Sequence, residues 1–289
     1  MRQLVAYSLL FLSFFVCVTA CVADDSSPEK YQLRYKFELG EVMRYHVKHT
    51  ADIRSTIEGT SQQAESQSES IKVWKVTDVL PNGEIEFVHL VESVRMSNRV
   101  PNRAATHYDS EKDKTPPPGF EQAARAVGVP LSVVRITPAG EIVGRQEKHP
   151  QPPASDDLPI TLQFSDQPVA LGEQWDATYD VPAERKSGAK LLVRTRRVCT
   201  LEKVETGVAT VRVEYQILTP VSPYVQSQLV QRMTKGNVRF DIDQGRIISQ
   251  QLDADQRVLG FAGNSSSMHY ISRYEERLLK ADERLASKP

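Results

Sequence analysis

The chain has 289 residues, with 36 Lys and Arg against 37 Asp and Glu and a formal net charge of −1. Such balance leaves no global field to recruit nucleic acid or an anionic lipid surface. Hydrophobic residues make up 40% of the chain, enough for a core and too many for overall disorder.

The first element reads as an address. Arg2 supplies a short positive segment, and Leu4 to Val18 is an apolar run interrupted only by Ser8 and Ser13. That length suits a signal peptide and falls short of the roughly 20 residues of a bilayer span. Two processing routes are open. Val18-Thr19-Ala20-Cys21 resembles a bacterial lipobox, with Val18 where leucine is commonest, and would put a lipid on Cys21. Ordinary cleavage before Cys21 or after Ala23 is the alternative, so the leader is residues 1–20 or 1–23. The expected location is the cell envelope, periplasmic or held at the outer membrane through the lipid, with a secreted soluble protein as the alternative. Residues 21–30, rich in Asp and Ser, read as a tether. Once the leader and Cys21 are set aside, Cys199 is the one cysteine left, so no disulfide framework is expected. Its apolar neighbours Val198 and Leu201 favour a structural thiol over a nucleophile.

Strict alternation begins at Tyr31. Tyr31, Leu33, Tyr35, Phe37 and Leu39 alternate with polar residues, which predicts a half-buried antiparallel strand. Gly40-Glu41 breaks it, and Met43, Tyr45 and Val47 resume the pattern. Residues 52–70 are polar enough to read as strand ends and a long solvated loop. Pro81-Asn82-Gly83 between two apolar runs predicts a hairpin. Residues 97–118 end in Pro116-Pro117-Pro118; Phe120 to Val127, closed by Gly128, is the best helix candidate. A hairpin then turns at Gly140.

The same series recurs. Leu171-Gly172-Glu173 echoes Leu39-Gly40-Glu41 and is followed by the alternating Trp175, Ala177, Tyr179 and Val181. The turn at Glu205-Thr206-Gly207 echoes the one at Gly83, and the hairpin at Gly245 echoes the one at Gly140 with a one-residue slip in phase. Three elements repeated in order argue for a duplicated unit. The organisation is a first β half over 31–148, a Pro-rich joint over 149–160, a second β half over 161–278 and a polar tail over 279–289. Tyr224 to Met233 fits a helix or a strand. The fold class is mainly β, with antiparallel sheets in two related halves, half-barrel or sandwich-like, and one or two short helices.

The Leu-Gly-Glu strand opening, Tyr108-Asp109-Ser110, the proline run, the short helix, Gly128-Val129-Pro130 and Ile136-Thr137-Pro138-Ala139-Gly140-Glu141-Ile142, with Asp243-Gln244-Gly245-Arg246 in the second half, together resemble a family of secreted bacterial proteins of unknown function. The resemblance implies export and a β-rich fold. It supplies no activity and no functional residue.

No catalytic constellation emerges from residue spacing. His107, Asp109 and Ser110 lie too close in sequence for their side chains to converge as a triad. His46 and His49, three apart in a strand, face opposite ways, and His89 reads as a satisfied core or edge histidine; no metal or cofactor is expected. Glu275-Glu276 reads as a solvated pair and Arg194-Thr195-Arg196-Arg197 as a solvated strand face, with no nucleic-acid role. The aromatic residues carry the one positive hint. Tyr35, Phe37, Tyr45, Trp175 and Tyr179 would lie on the inner faces of curved sheets, as plain core or as a surface for an apolar ligand. Three functions follow: a non-enzymatic envelope lipoprotein that binds a partner protein or organises the envelope, a carrier of a lipid or other apolar ligand, and, with no motif behind it, a hydrolase.

Overall fold

The computed structural model describes residues 28–150, 160–280 and residue 283. The leader, Cys21 and most of the Pro-rich joint lie outside this range. The described chain is dominated by one antiparallel sheet. Its strands are β2 (Val42–Ile57), β3 (Thr60–Val79), β4 (Ile85–Arg99), β5 (Thr106–Asp109), β6 (Pro130–Ile136), β7 (Ile142–Glu147), β9 (Gln174–Glu184), β10 (Lys190–Glu205), β11 (Val208–Ile217), β12 (Lys235–Asp241), β13 (Arg246–Leu259) and β14 (Ser267–Leu278). They run in the order β7-β6-β4-β3-β2-β14-β13-β12-β11-β10-β9, with β5 paired onto β4, and the sheet is not closed into a barrel. Two short strands, β1 (Lys30–Tyr31) and β8 (Val169–Ala170), pair with each other. The helices are α1 (Glu121–Ala126) and α2 (Pro223–Leu229), the latter continued by a 3₁₀ turn over Val230–Arg232. Among the described residues no helix is long and apolar enough to cross a membrane.

Duplication is visible at the level of single hydrogen bonds. Gly40 N–H donates to the Val76 carbonyl and Val76 N–H to Glu41; Gly172 N–H donates to Leu201 and Leu201 N–H to Glu173. The carboxylates repeat as well, Glu41 accepting from Glu38 N–H and Glu173 from Ala170 N–H. Bulges recur at matching places. The β3–β4 ladder shifts between Val76 and Asp78, and the β10–β11 ladder between Leu201 and Lys203. Likewise β6–β7 shifts at Arg135/Ile136 and β12–β13 at Arg239/Phe240. A bulge re-aims a strand at a defined position, so four in two matched pairs mark one template used twice. The phase slip read from the sequence comes from the turn: Phe240 pairs with Ile247 across one residue more than separates Ile136 from Ile142. The two units follow each other head to tail along the sheet, and β14 is the strand inserted between them.

The predicted strand over 31–39 takes a different form. Its inward residues are buried as the alternation requires, with Leu33, Tyr35 and Phe37 each 6% exposed or less, but only Lys30–Tyr31 is in a ladder. Residues 32–38 instead form an extended strap across the inner face. Tyr35 N–H donates to Pro138 O and Lys36 N–H to Gly245 O, so the strap hangs from the third hairpin of each half. A second strap, residues 160–168, crosses beside it: Phe164 N–H donates to Ala139 O, and Arg34 donates to the carbonyls of Ser165 and Asp166. Period two reports a backbone with two unlike faces; it does not report a partner strand. The long solvated loop expected over 52–70 is also replaced. Glu58-Gly59 makes a tight turn with positive φ at both residues, and β2 and β3 pair without a break from Ile57↔Thr60 to Val42↔Lys75. Ser, Thr and Gln hold this arm by the ladder itself, with little burial to signal it.

One core joins the halves. Tyr35, Phe37, Tyr45, Trp74, Phe87 and Ile136 pack with Leu201, Val211, Val213, Val238 and Phe240 around the straps. Tyr35 centres the aromatic contacts, 5.6 Å from Phe37, 5.3 Å from Phe164 and 5.5 Å from Phe240. The helices follow corresponding strands in the chain but pack on different parts of their halves. Helix α1, anchored by Phe120, packs near Val94 and Tyr108, while Val225 and Leu229 of α2 pack on Val181 and Val193.

Candidate ligand cavity

The second strap, the segment after α2 and the sheet leave a cavity of about 360 Å³ on the inner face. Its apolar wall is made by Ile160 and Leu162 of the second strap and by Val213, Val238, Ile247 and Leu252 of β11 to β13. Val213 and Val238 project inward on the buried parity of their strands, and the bulge between Ile247 and Ser249 brings Ile247 and Leu252, five residues apart, to the same side. Its polar side includes His49, Lys72, His89, Arg197, Gln250, Ser272 and Tyr274. The volume lies within the range of small-molecule sites, roughly 300–1,000 Å³. A larger, open hollow of about 960 Å³ lies along residues such as Lys48, Arg212, Lys235, Asp253 and Arg277 and carries charges of both signs.

A buried charge network borders the cavity. Lys72 Nζ lies 2.5 Å from Glu276 Oε2, and the ammonium sits 4.7 Å from the Tyr45 ring centroid and 4.6 Å from that of Trp74. The Tyr274 hydroxyl donates to the same carboxylate. Burial and the Glu276 charge push the Tyr274 phenol well above its ordinary pKa, so it stays a donor. Arg197, 4% exposed, donates to Thr161 O at 2.8 Å and lies over the Tyr215 ring. Glu276 is 3% exposed, so neither it nor Arg197 is the solvated residue that local composition suggests. The signal was parity. Arg197 is in step with buried Val193, Thr195, Cys199 and Leu201, and Glu276 with buried Tyr270 and Ser272.

His89 also departs from expectation. It lines the cavity, and its Nδ1 is shielded from solvent with no hydrogen-bond partner among the described residues. Burial, together with the nearby charges of Lys72 and Arg145, lowers its pKa to about 3 and keeps the ring neutral. His49 lines the same space, while His46 on the opposite face pairs with Glu69 at 2.7 Å. No group of three or more His, Cys, Asp or Glu side chains able to hold a metal forms among the described residues. Burial pushes the Cys199 thiol up to about 12, an inert packing residue.

The aromatic residues singled out in the sequence fall outside the cavity lining. Tyr35, Phe37 and Tyr45 are in the central core, with Tyr35 Oη accepting from Leu162 N–H at 3.0 Å. Trp175 packs at the core margin and donates its indole N–H to Gln163 O, while Tyr179 meets Tyr215 edge-on at 6.4 Å. They hold the walls that the cavity residues line. The lining residues themselves come from β2, β3, β4, β10 to β14, the second strap and the segment after α2, a set that only the sheet order assembles.

Fold and cavity together define an open antiparallel sheet of two tandem units folded over an internal space. No family model and no curated protein matches the sequence. Among solved structures, one of lipovitellin described by its lipid–protein interactions is similar with a TM-score of 0.47 and 15% identity, over 88% of this chain and 27% of that chain. A DUF1329 family protein from Desulfovibrio piger is similar with a TM-score of 0.15 and 9% identity, over 82% of this chain and 84% of that one. The chain thus spans about a quarter of the lipovitellin chain it matches.

Proposed function

We propose that this chain is a non-enzymatic binding protein of the cell envelope that holds a small, largely apolar ligand in the cavity between its two halves. The observation that carries the reading is the cavity itself: an aliphatic wall from Ile160, Leu162, Val213, Val238, Ile247 and Leu252, faced by polar groups, Lys72, Arg197 and Arg232 among them, that can orient a ligand. The leader and Cys21 support the envelope address. Mass spectrometry of the purified chain under native conditions tests the binding. Wild type carries a co-purifying small molecule, and Leu252→Trp, which fills the space from β13, loses it while still unfolding cooperatively. Equal retention by the variant, or wild type free of any ligand and unable to take one up, would refute the reading.

A further inference from the structure

The polar residues of the cavity differ in whether a ligand can reach them. His89 Nδ1 is shielded, whereas His49 on β2 is half-buried and lines the cavity, and neither of its ring nitrogens is shielded or hydrogen-bonded among the described residues. The register places it. His49 pairs with Tyr274 on β14, and Tyr274 pairs with Leu252 on β13. Ser272, one inward step along β14 from Tyr274, is therefore the diagonal neighbour of His49. It too lines the cavity, and its hydroxyl makes no hydrogen bond among the described residues. Diagonal neighbours on adjacent strands are close enough for one small group to meet both. On the other side of Tyr274, Leu252 begins the aliphatic wall that continues over Ile247, Val238 and Val213. The cavity thus has two unengaged polar groups on β2 and β14 and an apolar wall beside them on β11 to β13.

We infer that the ligand is a single-chain amphiphile of the fatty-acid class, and that His49 and Ser272 donate to its carboxylate end. This rests on the cavity reading above and adds the identity of the polar end. Burial lowers the His49 pKa, so the ring is neutral at pH 7 and carries one N–H donor, and a serine hydroxyl turns to donate as readily as to accept. Charge selects among the oxygen-bearing ends that these donors could serve. The ionic side chains lining the cavity are Lys72, Arg197 and Arg232, all positive, and no carboxylate lines it among the described residues. Glu276, next to the lining, is answered by Lys72 and Tyr274. In a poorly solvated space such a lining favours an anionic end over a neutral or cationic one at a distance, with no direct bond to any of the three required. The aliphatic wall on β11 to β13 then takes the chain, and 360 Å³ accommodates about a dozen water-sized groups, enough for one chain.

The test uses the full chain at neutral pH and N-phenyl-1-naphthylamine, an uncharged probe that brightens in apolar surroundings, displaced by decanoate, 1-decanol or decyltrimethylammonium. The three ligands share a chain type and differ in the charge at its end. Decanoate is expected to displace the probe best and the cation worst. His49→Leu should weaken decanoate roughly tenfold, the worth of one hydrogen bond to a charged group, and leave the cation unchanged. His49→Gln, which keeps a donor, should retain most of the decanoate preference. The comparison of the three ligands on wild type stands even if a variant folds poorly. Equal displacement by all three, or tightest binding of decanol or the cation, overturns the carboxylate assignment and leaves the cavity reading intact. A uniform loss for all three ligands in His49→Leu overturns the role given to His49. Failure of wild type to bind the probe or any of the three ligands overturns both readings.

Discussion

Replacing Lys72 by methionine removes the cation that answers a nearly dry carboxylate. The Glu276 side chain is 1% exposed and that of Lys72 14%, so the pair is buried from both sides. Breaking a buried pair by removing one partner costs about 3–5 kcal/mol, because the remaining charge keeps its desolvation penalty and loses its compensation. Here the Tyr274 hydroxyl remains as a partial substitute, which places the expected loss near the lower figure, about 3 kcal/mol. Set against a typical total of about 5–15 kcal/mol, this is a large fraction. Urea unfolding followed by tryptophan fluorescence should show a lower midpoint with an unchanged slope. The double variant Lys72→Met/Glu276→Leu removes both charges and should recover most of the loss, since apolar replacement of a buried pair is often neutral or better. A single-variant cost below about 1 kcal/mol, or a double variant no more stable than the sum of its parts, would show that the pair is hydrated and the reasoning wrong.

Three further outcomes follow from the same structure. His89 has its folded pKa lowered to about 3 against an ordinary 6.5, so the unfolded chain binds the extra proton first and stability is lost as pH falls below about 6.5. Wild type should therefore lose up to about 1.4 kcal/mol more per pH unit between pH 6 and 4 than His89→Leu, measured by urea unfolding; parallel slopes would remove the assignment. Gly245 combines a positive φ of 62° with a position where a Cβ would lie 2.4 Å from Lys36 N and 2.7 Å from Arg34 O. Gly245→Ala should cost about 3 kcal/mol or more through strain and displacement of the first strap, and a thermal midpoint within a degree of wild type would contradict this. Labelled fatty acid should enter wild type and not Cys21→Ala when expressed in a bacterium with lipoprotein processing; equal labelling would refute lipidation there.

Much of the fold was legible because turns and parity are local. Asn82-Gly83, Thr206-Gly207 and the two Leu-Gly-Glu phrases mark real reversals, and Trp175 to Val181 alternates as β9 does. What escaped was anything decided by a distant partner. Beyond Tyr31, the run to Leu39 has a strand's pattern and meets hairpin turns instead of a strand, and nothing in its own residues names Pro138 or Gly245. Glu276 and Arg197 carry charge in polar company, and only the neighbouring strands turn them inward. The cavity was hidden for the same reason. Its hydrophobic wall is ordinary valine, leucine and isoleucine, while the conspicuous aromatic residues are spent on the core beneath it.

The placement of β14 has a consequence for how the molecule comes together. This last strand lies between β13 and β2, pairing from Ser267↔Thr56 to Leu278↔Tyr45, so the first long strand waits for nearly the whole chain before its second edge is filled. Until then the amino-terminal unit has an open edge, and its strap lacks the Gly245 carbonyl that fixes Lys36. Pairings so remote in sequence slow folding, because the loop they close must be ordered before any contact rewards it. Assembly is thus gated by the carboxyl-terminal end: a chain threaded through a narrow passage with its start first would stay loose until its final strand emerged.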